Sequence, residues 1–227
     1  DEVVAADPGY FHHRRTGRPR FRIKLATTLD GQVAAADGTS QWITSDEARR
    51  DGHLLRAAAD AVVVGAGTLR ADDPRLSARH ESFRGTQPRP VVMAGNAPLP
   101  EARRLYERNP LILAPHAIGT PPQCEVVVVG GQDGAVDLAM AAKELAKRGY
   151  LEVLVDGGPI LAQAFADAGL VDHLTLYFGA KLAKGQGAPM FPGSFATLSD
   201  ATPLEIVSVS KVGPDVRIDA APQKGSS

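Results

Sequence analysis

The chain has little cysteine, little tryptophan, no excess of either charge and no long apolar run. A single cysteine, Cys124, leaves nothing for an intrachain disulfide. That excludes a disulfide-stapled scaffold and points to a reducing compartment, the cytoplasm. Cys124 leads into the apolar run 126–129, so it reads as a buried structural thiol rather than a nucleophile. No apolar stretch approaches the roughly 18 residues of a membrane span, and no signal-peptide pattern is visible, so no membrane partner is expected. With 25 basic against 26 acidic residues and a net charge of -1, the chain has no surplus of cations to track a nucleic acid. A small anion remains within reach, because a pair of arginines suffices for one phosphate. The six histidines (His12, His13, His53, His80, His116, His173) do not pair with cysteine at metal-ligand spacing. A His-x-Glu with a later Pro-Cys-x-x-Cys is missing, as are a Gly-x-Ser-x-Gly elbow and a Walker loop. Neither a metal site nor covalent serine or cysteine catalysis is therefore expected.

What is present suits one large globular domain: 227 residues, 44% hydrophobic and 22% charged. The organising stretch is 21–44. Phe21, Ile23 and Leu25 alternate with Arg22, Lys24 and Ala26, the period of a half-buried strand. Asp30-Gly31 and Asp37-Gly38 then break it into turns, and it ends at Thr39-Ser40-Gln41-Trp42. A helix is expected over 45–59, opened by a Thr44–Glu47 capping box. The run Val62-Val63-Val64-Gly65 reads as a strand buried on both faces. Further strands are expected over 90–94, 111–114, 125–129, 151–155 and 174–178. Helices are expected over 136–148, with Gly149 as C-cap, and over 160–168, after Pro159 at the first helical position. A loop covers 179–198, and a hairpin over 204–212 and 216–220 closes the chain. Strands alternating with helices and ending in a hairpin argue an α/β domain on a mostly parallel sheet with an antiparallel edge. Residues 1–20 read as a linker-like lead, 21–220 as the domain and 221–227 as a disordered tail. The start at Asp1 rather than Met suggests a processed, cut or engineered terminus.

Three strand ends carry the chemistry-bearing residues: the organising stretch, Val64-Gly65-Ala66-Gly67-Thr68, and Val155-Asp156-Gly157-Gly158-Pro159. In open α/β sheets ligands sit at the carboxyl ends of strands, and glycines there let backbone N–H groups approach a phosphate. Taken singly, each glycine turn reads equally well as a tight turn without a ligand. Arg70 stands where a third fingerprint glycine would be needed, so the first is not a dinucleotide fingerprint. Lys24 is either a lysine on the solvent face or a proton donor or electrostatic anchor in a pocket. Asp156, at the end of the strand 151–155, reads equally well as a turn aspartate or helix N-cap and as a site residue. Arg56 and Arg79 suit a phosphate, though either alone also suits a plain surface.

Taken in order, these pieces resemble a known family. Lys24-Leu-Ala-x-x-Leu-Asp-Gly31, Gly38-x-Ser-Gln-Trp-Ile-Thr44, Ala48-Arg-Arg-Asp51, Gly65-x-Gly-Thr-x-x-Ala-Asp-Asp-Pro74 and Asp156-Gly-Gly-Pro159 are similar to the reductase domain of the bifunctional riboflavin-biosynthesis deaminase–reductase. The likeness covers about residues 8–219, and the lead resembles that family's interdomain linker, so the chain reads as the reductase half without its deaminase. It implies a dihydrofolate-reductase-like fold and a homodimer. The implied reaction is NADPH-dependent reduction of the ribosyl group of 5-amino-6-(5-phosphoribosylamino)uracil to the ribityl product. Lys24 and Asp156 would be the polar pair near C1′. Ser40, Arg56, Leu76 and Arg79 match substrate positions. Ala26, Trp42, Thr68, Asp72, Gly158, Pro159, Ile160, Leu161, Ala162, Gln163 and Ala164 match cofactor positions. Three features depart from the family's habit: Asp156 stands for its usual Glu, the loop 183–193 is less apolar, and a polar residue near Ala94-Gly95 is missing. Competing readings are a reductase of the undeaminated diaminopyrimidine or of a pterin, and a non-catalytic nucleotide-binding relative.

Overall fold

β-Branched and apolar runs become strands buried on both faces, and the alternating residues of 20–28 and 173–179 become strands with one polar face. In chain order the elements are α1 (Pro8–Thr16), β1 (Arg20–Thr28), β2 (Gln32–Ala34), α2 (Asp46–Ala57), β3 (Ala61–Gly65), α3 (Ala66–Asp72), β4 (Arg89–Met93), β5 (Leu111–Ala114), β6 (Glu125–Val128), α4 (Leu138–Lys147), β7 (Glu152–Val155), α5 (Pro159–Asp167), β8 (His173–Gly179), β9 (Ala188–Pro189), β10 (Leu204–Val212) and β11 (Asp215–Pro222). The computed structural model describes residues 7–131, 134–185, 187–194 and 196–223. It comprises two compact units: Asp1–Phe21 with His53–Val155, and Arg22–Gly52 with Asp156–Ser227.

The first unit is built on parallel strands in the order β7-β3-β4-β5-β6. Val62, Val63 and Val64 on β3 and Leu111, Ile112 and Leu113 on β5 are all 0% exposed. Each such side chain contributes about 1.5–3 kcal/mol by burial. Asp60 ties the strand starts together, its Oδ2 accepting from the Leu151 and Glu152 amides at 2.7 and 2.9 Å. The lead expected to be linker-like carries α1. Asp7 caps it, accepting from the Tyr10 amide at 3.0 Å, Pro8 opens it, and Gly17 closes it in the left-handed region. The lead reads as a linker because α1 lacks an apolar stripe: only Gly9 and His12 are buried. The sequence reading also passed over α3 and a 3-10 turn at Arg104–Arg108. Cys124 is half-buried rather than buried, its Sγ donating to the Pro122 carbonyl at 3.4 Å. Burial pushes this thiol up to about 11, which suits a structural thiol and not a nucleophile.

The second unit carries strands in the order β10-β11-β8-β1, with β1 parallel to β8 and both β8–β11 and β11–β10 antiparallel. Strand β11 runs to Pro222, past the expected boundary at 220, and the last residues of the expected tail, 224–227, lie outside the described residues. The alternation expected of β1 is present, with Ile23 and Leu25 buried and Arg22, Lys24 and Ala26 half-buried on the other face. The start of α2 differs from expectation. Ser45 rather than Thr44 supplies the cap, accepting from the Ala48 amide at 3.3 Å. Asp215 of the terminal hairpin accepts from the Ser45 amide at 2.6 Å. The loop 179–198 contains β9, which pairs with β2. Asp30 anchors that loop, accepting from the Ala183 and Gly185 amides at 2.9 and 3.0 Å. Those amides, the Ala183 amide foremost, and the Thr28 hydroxyl hold the Asp30 carboxyl below its usual value. Gly179 is required at the end of β8, because a Cβ there would stand 2.2 Å from the Ile43 carbonyl oxygen.

Candidate active site

Strand period and register build the polar centre of the second unit. Lys24 pairs with Thr175 and Ala26 with Tyr177 across β1–β8, while Thr175 pairs with Asp219 and Tyr177 with Arg217 across β8–β11. Paired residues share a face. Arg22, Lys24, His173, Thr175, Tyr177, Arg217 and Asp219 thus form one polar face over three strands. From the turn that opens α5, Asp156 brings its Oδ1 to 3.3 Å from Lys24 Nζ, with side-chain exposures of 10% and 22%. Gly158, not Asp156, is the N-cap of α5. The capping alternative for Asp156 thus gives way to an ion pair at the strand's carboxyl end.

Beside that pair lies a network that sequence reasoning missed. Asp219 accepts from His173 Nε2 at 3.0 Å, Thr175 Oγ1 at 2.7 Å, Arg22 Nη1 at 3.1 Å and Arg217 Nε at 2.7 Å. Burial opposes its charge, but the Arg217, Thr175 and His173 hydrogen bonds win and hold its carboxyl far below the usual range. Arg217 also donates to Asp51 Oδ2 at 2.9 Å, and the Tyr177 hydroxyl donates to the same oxygen at 2.5 Å. Burial, then the Asp51 hydrogen bond, pushes the Tyr177 phenol far above its ordinary value. The signal was present in the sequence: His173, Thr175 and Tyr177 alternate, as do Arg217 and Asp219.

The residues expected to hold a cofactor divide by environment. The N-terminus of α5 has Pro159 in its first turn, and among the described residues no side chain caps it. Its free amides and dipole suit a pyrophosphate. Ile160 is 79% exposed and Ala162 is 1% exposed, so any contact from Ala162 would come from its backbone. The Gln163 side chain is engaged in structure, accepting from the Gly193 amide at 2.9 Å and donating to Asp167 at 2.7 Å. Trp42 is 58% exposed, and the Arg49 guanidinium lies 4.2 Å from its ring centre. The Trp42 carbonyl accepts from Lys181 Nζ. Ser40 is exposed, and Ala26 is half-buried on β1.

The remaining candidates belong to the first unit. Arg79 sits close enough to Arg56 and Arg75 that burial, then their positive charges, lowers its pKa. Arg108 is lowered by burial and by Arg56 in the same way. Like charges gathered this closely suit an anion. Leu76, 1% exposed, adopts a φ of 51° in the loop leading to Arg79. A branched residue in this region marks local strain of the kind found at binding sites. His53 Nδ1 lies 3.1 Å from the Ser77 carbonyl and 3.3 Å from the Arg79 amide nitrogen, tying α2 to that loop. Thr68 and Asp72 lie on α3, where incomplete hydration raises the Asp72 carboxyl. Among the described residues no group of His, Cys, Asp or Glu could hold a metal ion, and no helix is long and apolar enough to cross a membrane.

Sequence comparison accounts for this arrangement. A family model, the RibD C-terminal domain, matches residues 19–218. The chain belongs to the RibD C-terminal domain family. Riboflavin biosynthesis protein RibD of Mycobacterium tuberculosis is 38% identical over 219 residues, covering 95% of this chain and 58% of that protein. RibD of Escherichia coli is 33% identical, covering 95% of this chain and 63% of that protein. The chain thus spans about three fifths of the length of these relatives. Among solved structures, a diaminohydroxyphosphoribosylaminopyrimidine deaminase/5-amino-6-(5-phosphoribosylamino)uracil reductase from Thermotoga maritima superposes with a TM-score of 0.84 at 26% identity, over 98% of this chain and 62% of that one. The α/β class and the RibD reductase-domain fold implied by the motifs are those of the family.

Proposed function

We propose that this domain reduces the ribosyl group of 5-amino-6-(5-phosphoribosylamino)uracil to the ribityl product with NADPH. The observation that carries this reading is the Lys24–Asp156 pair, 3.3 Å apart at the carboxyl end of a strand, in a chain of the RibD C-terminal domain family. The substrate must open at C1′–O4′ before C1′ can be reduced. The Lys24 ammonium donates a proton to O4′ as that bond breaks, leaving an open-chain iminium, and Asp156 keeps the donor aimed. The bound nicotinamide supplies the hydride that C1′ takes up, so one hydride and one proton are added in all. Within the first unit Arg56 and Arg79 would take the 5′-phosphate, with Leu76 in the loop leading to Arg79; Ser40 is the substrate candidate of the second unit. The uncapped start of α5 would hold the cofactor pyrophosphate; Ala26 and Trp42 in the second unit, and Thr68 and Asp72 in the first, are the other cofactor candidates.

Loss of absorbance at the reduced-nicotinamide band tests the reading directly. NADPH should be consumed with the deaminated substrate, and removal of the 5′-phosphate should raise KM about 10- to 100-fold, the worth of charge-assisted hydrogen bonds. Consumption only with the undeaminated diaminopyrimidine, or only with NADH, would overturn that part of the assignment.

We further propose a homodimer joined along β10, in the cytoplasm. Ile206, Val207 and Val209 on β10 are 57%, 55% and 63% exposed, an apolar strand surface of the kind that a second copy covers. Light scattering should return twice the chain mass, and Val209→Lys should return the monomer. A monomeric parent protein would end the dimer proposal.

A further inference from the structure

Lys24 has a long side chain with many rotamers, and a proton donor must be held in one of them. The ion pair with Asp156 fixes one side of the ammonium. On another side lies the Tyr177 ring, its centre 5.9 Å from Lys24 Nζ, within the range of a cation–π contact. The ring is itself immobile: Tyr177 is 1% exposed. Its hydroxyl donates to Asp51, which Arg217 also engages at 2.9 Å, and Arg217 is in turn forked onto Asp219 at 2.7 and 3.1 Å. The Arg217 guanidinium also stands 6.0 Å from the ring centre.

We propose that Tyr177 is a positioning residue that acts through Lys24. Its π face, locked at the far end by Asp51, holds the Lys24 ammonium against Asp156. This rests on the proposed role of Lys24 in reduction. The chemistry itself never reaches Tyr177, whose hydroxyl is spent on Asp51.

The test is a cycle of variants read by kcat, KM and side-chain order. Tyr177→Leu should lower kcat about 3- to 30-fold, the range of a cation–π contact, with KM for both substrates unchanged. Tyr177→Phe keeps the face and should recover most of that rate. Pentafluorophenylalanine at position 177 has the shape of phenylalanine without an electron-rich face, and should fall to the level of the leucine variant. This comparison stands even if the leucine variant does not fold. In a Lys24→Ala background none of the three should cost anything further, because a residue acting through Lys24 has nothing left to act on. Carbon relaxation at Lys24 Cε in the ligand-free protein should show faster motion in the leucine and pentafluoro variants than in the parent. Equal losses with and without Lys24, or a phenylalanine variant no better than its pentafluoro counterpart, would overturn the proposal. Should Lys24→Ala itself retain full rate, the reading of Lys24 falls, while unchanged Lys24 order across the variants would separately overturn the positioning role.

Discussion

Lys24→Ala should lower kcat by about 10²- to 10⁴-fold, the range expected when a positioned proton donor is removed. The effect should appear in kcat more than in NADPH binding, because the Lys24 ammonium is engaged by the Asp156 carboxylate while the cofactor pyrophosphate is assigned to the backbone amides of α5. The fold should survive. Lys24 is half-buried on a strand whose core contacts come from Ile23 and Leu25 on the opposite face. The loss of its partner leaves the Asp156 carboxylate, 10% exposed, short of a charge-assisted bond, at a cost of about 1–3 kcal/mol. A thermal melt separates that modest change from the kinetic one. Asp156→Asn should show a smaller kinetic loss, since the ammonium remains and only its orientation suffers. A Lys24→Ala protein that folds and turns over within about threefold of the parent would remove Lys24 from the reaction, because general-acid contributions begin near 10².

The reason Lys24 was visible in the sequence also explains what was not. A lysine on an alternating strand falls in phase with its polar neighbour Arg22, and period alone assigns it to a face. Asp156 was visible because a carboxylate followed by Gly157-Gly158-Pro159 marks a strand end entering a helix. Their meeting at 3.3 Å depends on the sheet, which no local pattern encodes. Strands β3 and β5 of the first unit were legible because they are buried on both faces and read as unbroken apolar runs. Helices α1 and α3 were not, because neither carries an apolar stripe at helical spacing. Each holds only two buried residues, Gly9 and His12 in one, Ala66 and Leu69 in the other. The capping of α2 was misplaced for a related reason. Thr44 and Glu47 have the right spacing, but the group that satisfies the Ser45 amide is Asp215, from the far end of the chain. The Asp219 network escaped notice because its members come from four separated segments, and each looks ordinary alone.

That network carries the second large effect. Asp219→Ala should destabilise the protein by about 3 kcal/mol, because it removes the carboxylate on which the partly buried Arg22, Arg217 and His173 converge. Two of them, Arg22 and Arg217, keep 23% and 21% of their side-chain surface exposed. Solvent therefore relieves part of the penalty, which places the estimate at the low end of the range for broken buried pairs, about 3–5 kcal/mol. The pH dependence has a defined sign. The Asp219 carboxyl is held well below its ordinary value of 3.8, so the folded state binds its proton later than the unfolded state does. Its contribution is fully present above the unfolded value and is lost as pH falls towards the folded one. Urea unfolding of the parent and of Asp219→Ala should show the full gap at pH 5 and a gap about 1 kcal/mol smaller at pH 3. Asp219→Asn, which keeps acceptor capacity but no charge, should fall between the two at pH 5. A gap that stays constant between pH 5 and pH 3 would mean that Asp219 acts by packing rather than by charge. The anchor holding Arg217, and through Arg217 the Asp51 that fixes Tyr177, would then be steric. Because Asp219 acts on Lys24 through intervening residues and not by direct contact, its variant should lose stability first. Its kcat at temperatures where it stays folded should fall no further than that of Tyr177→Leu.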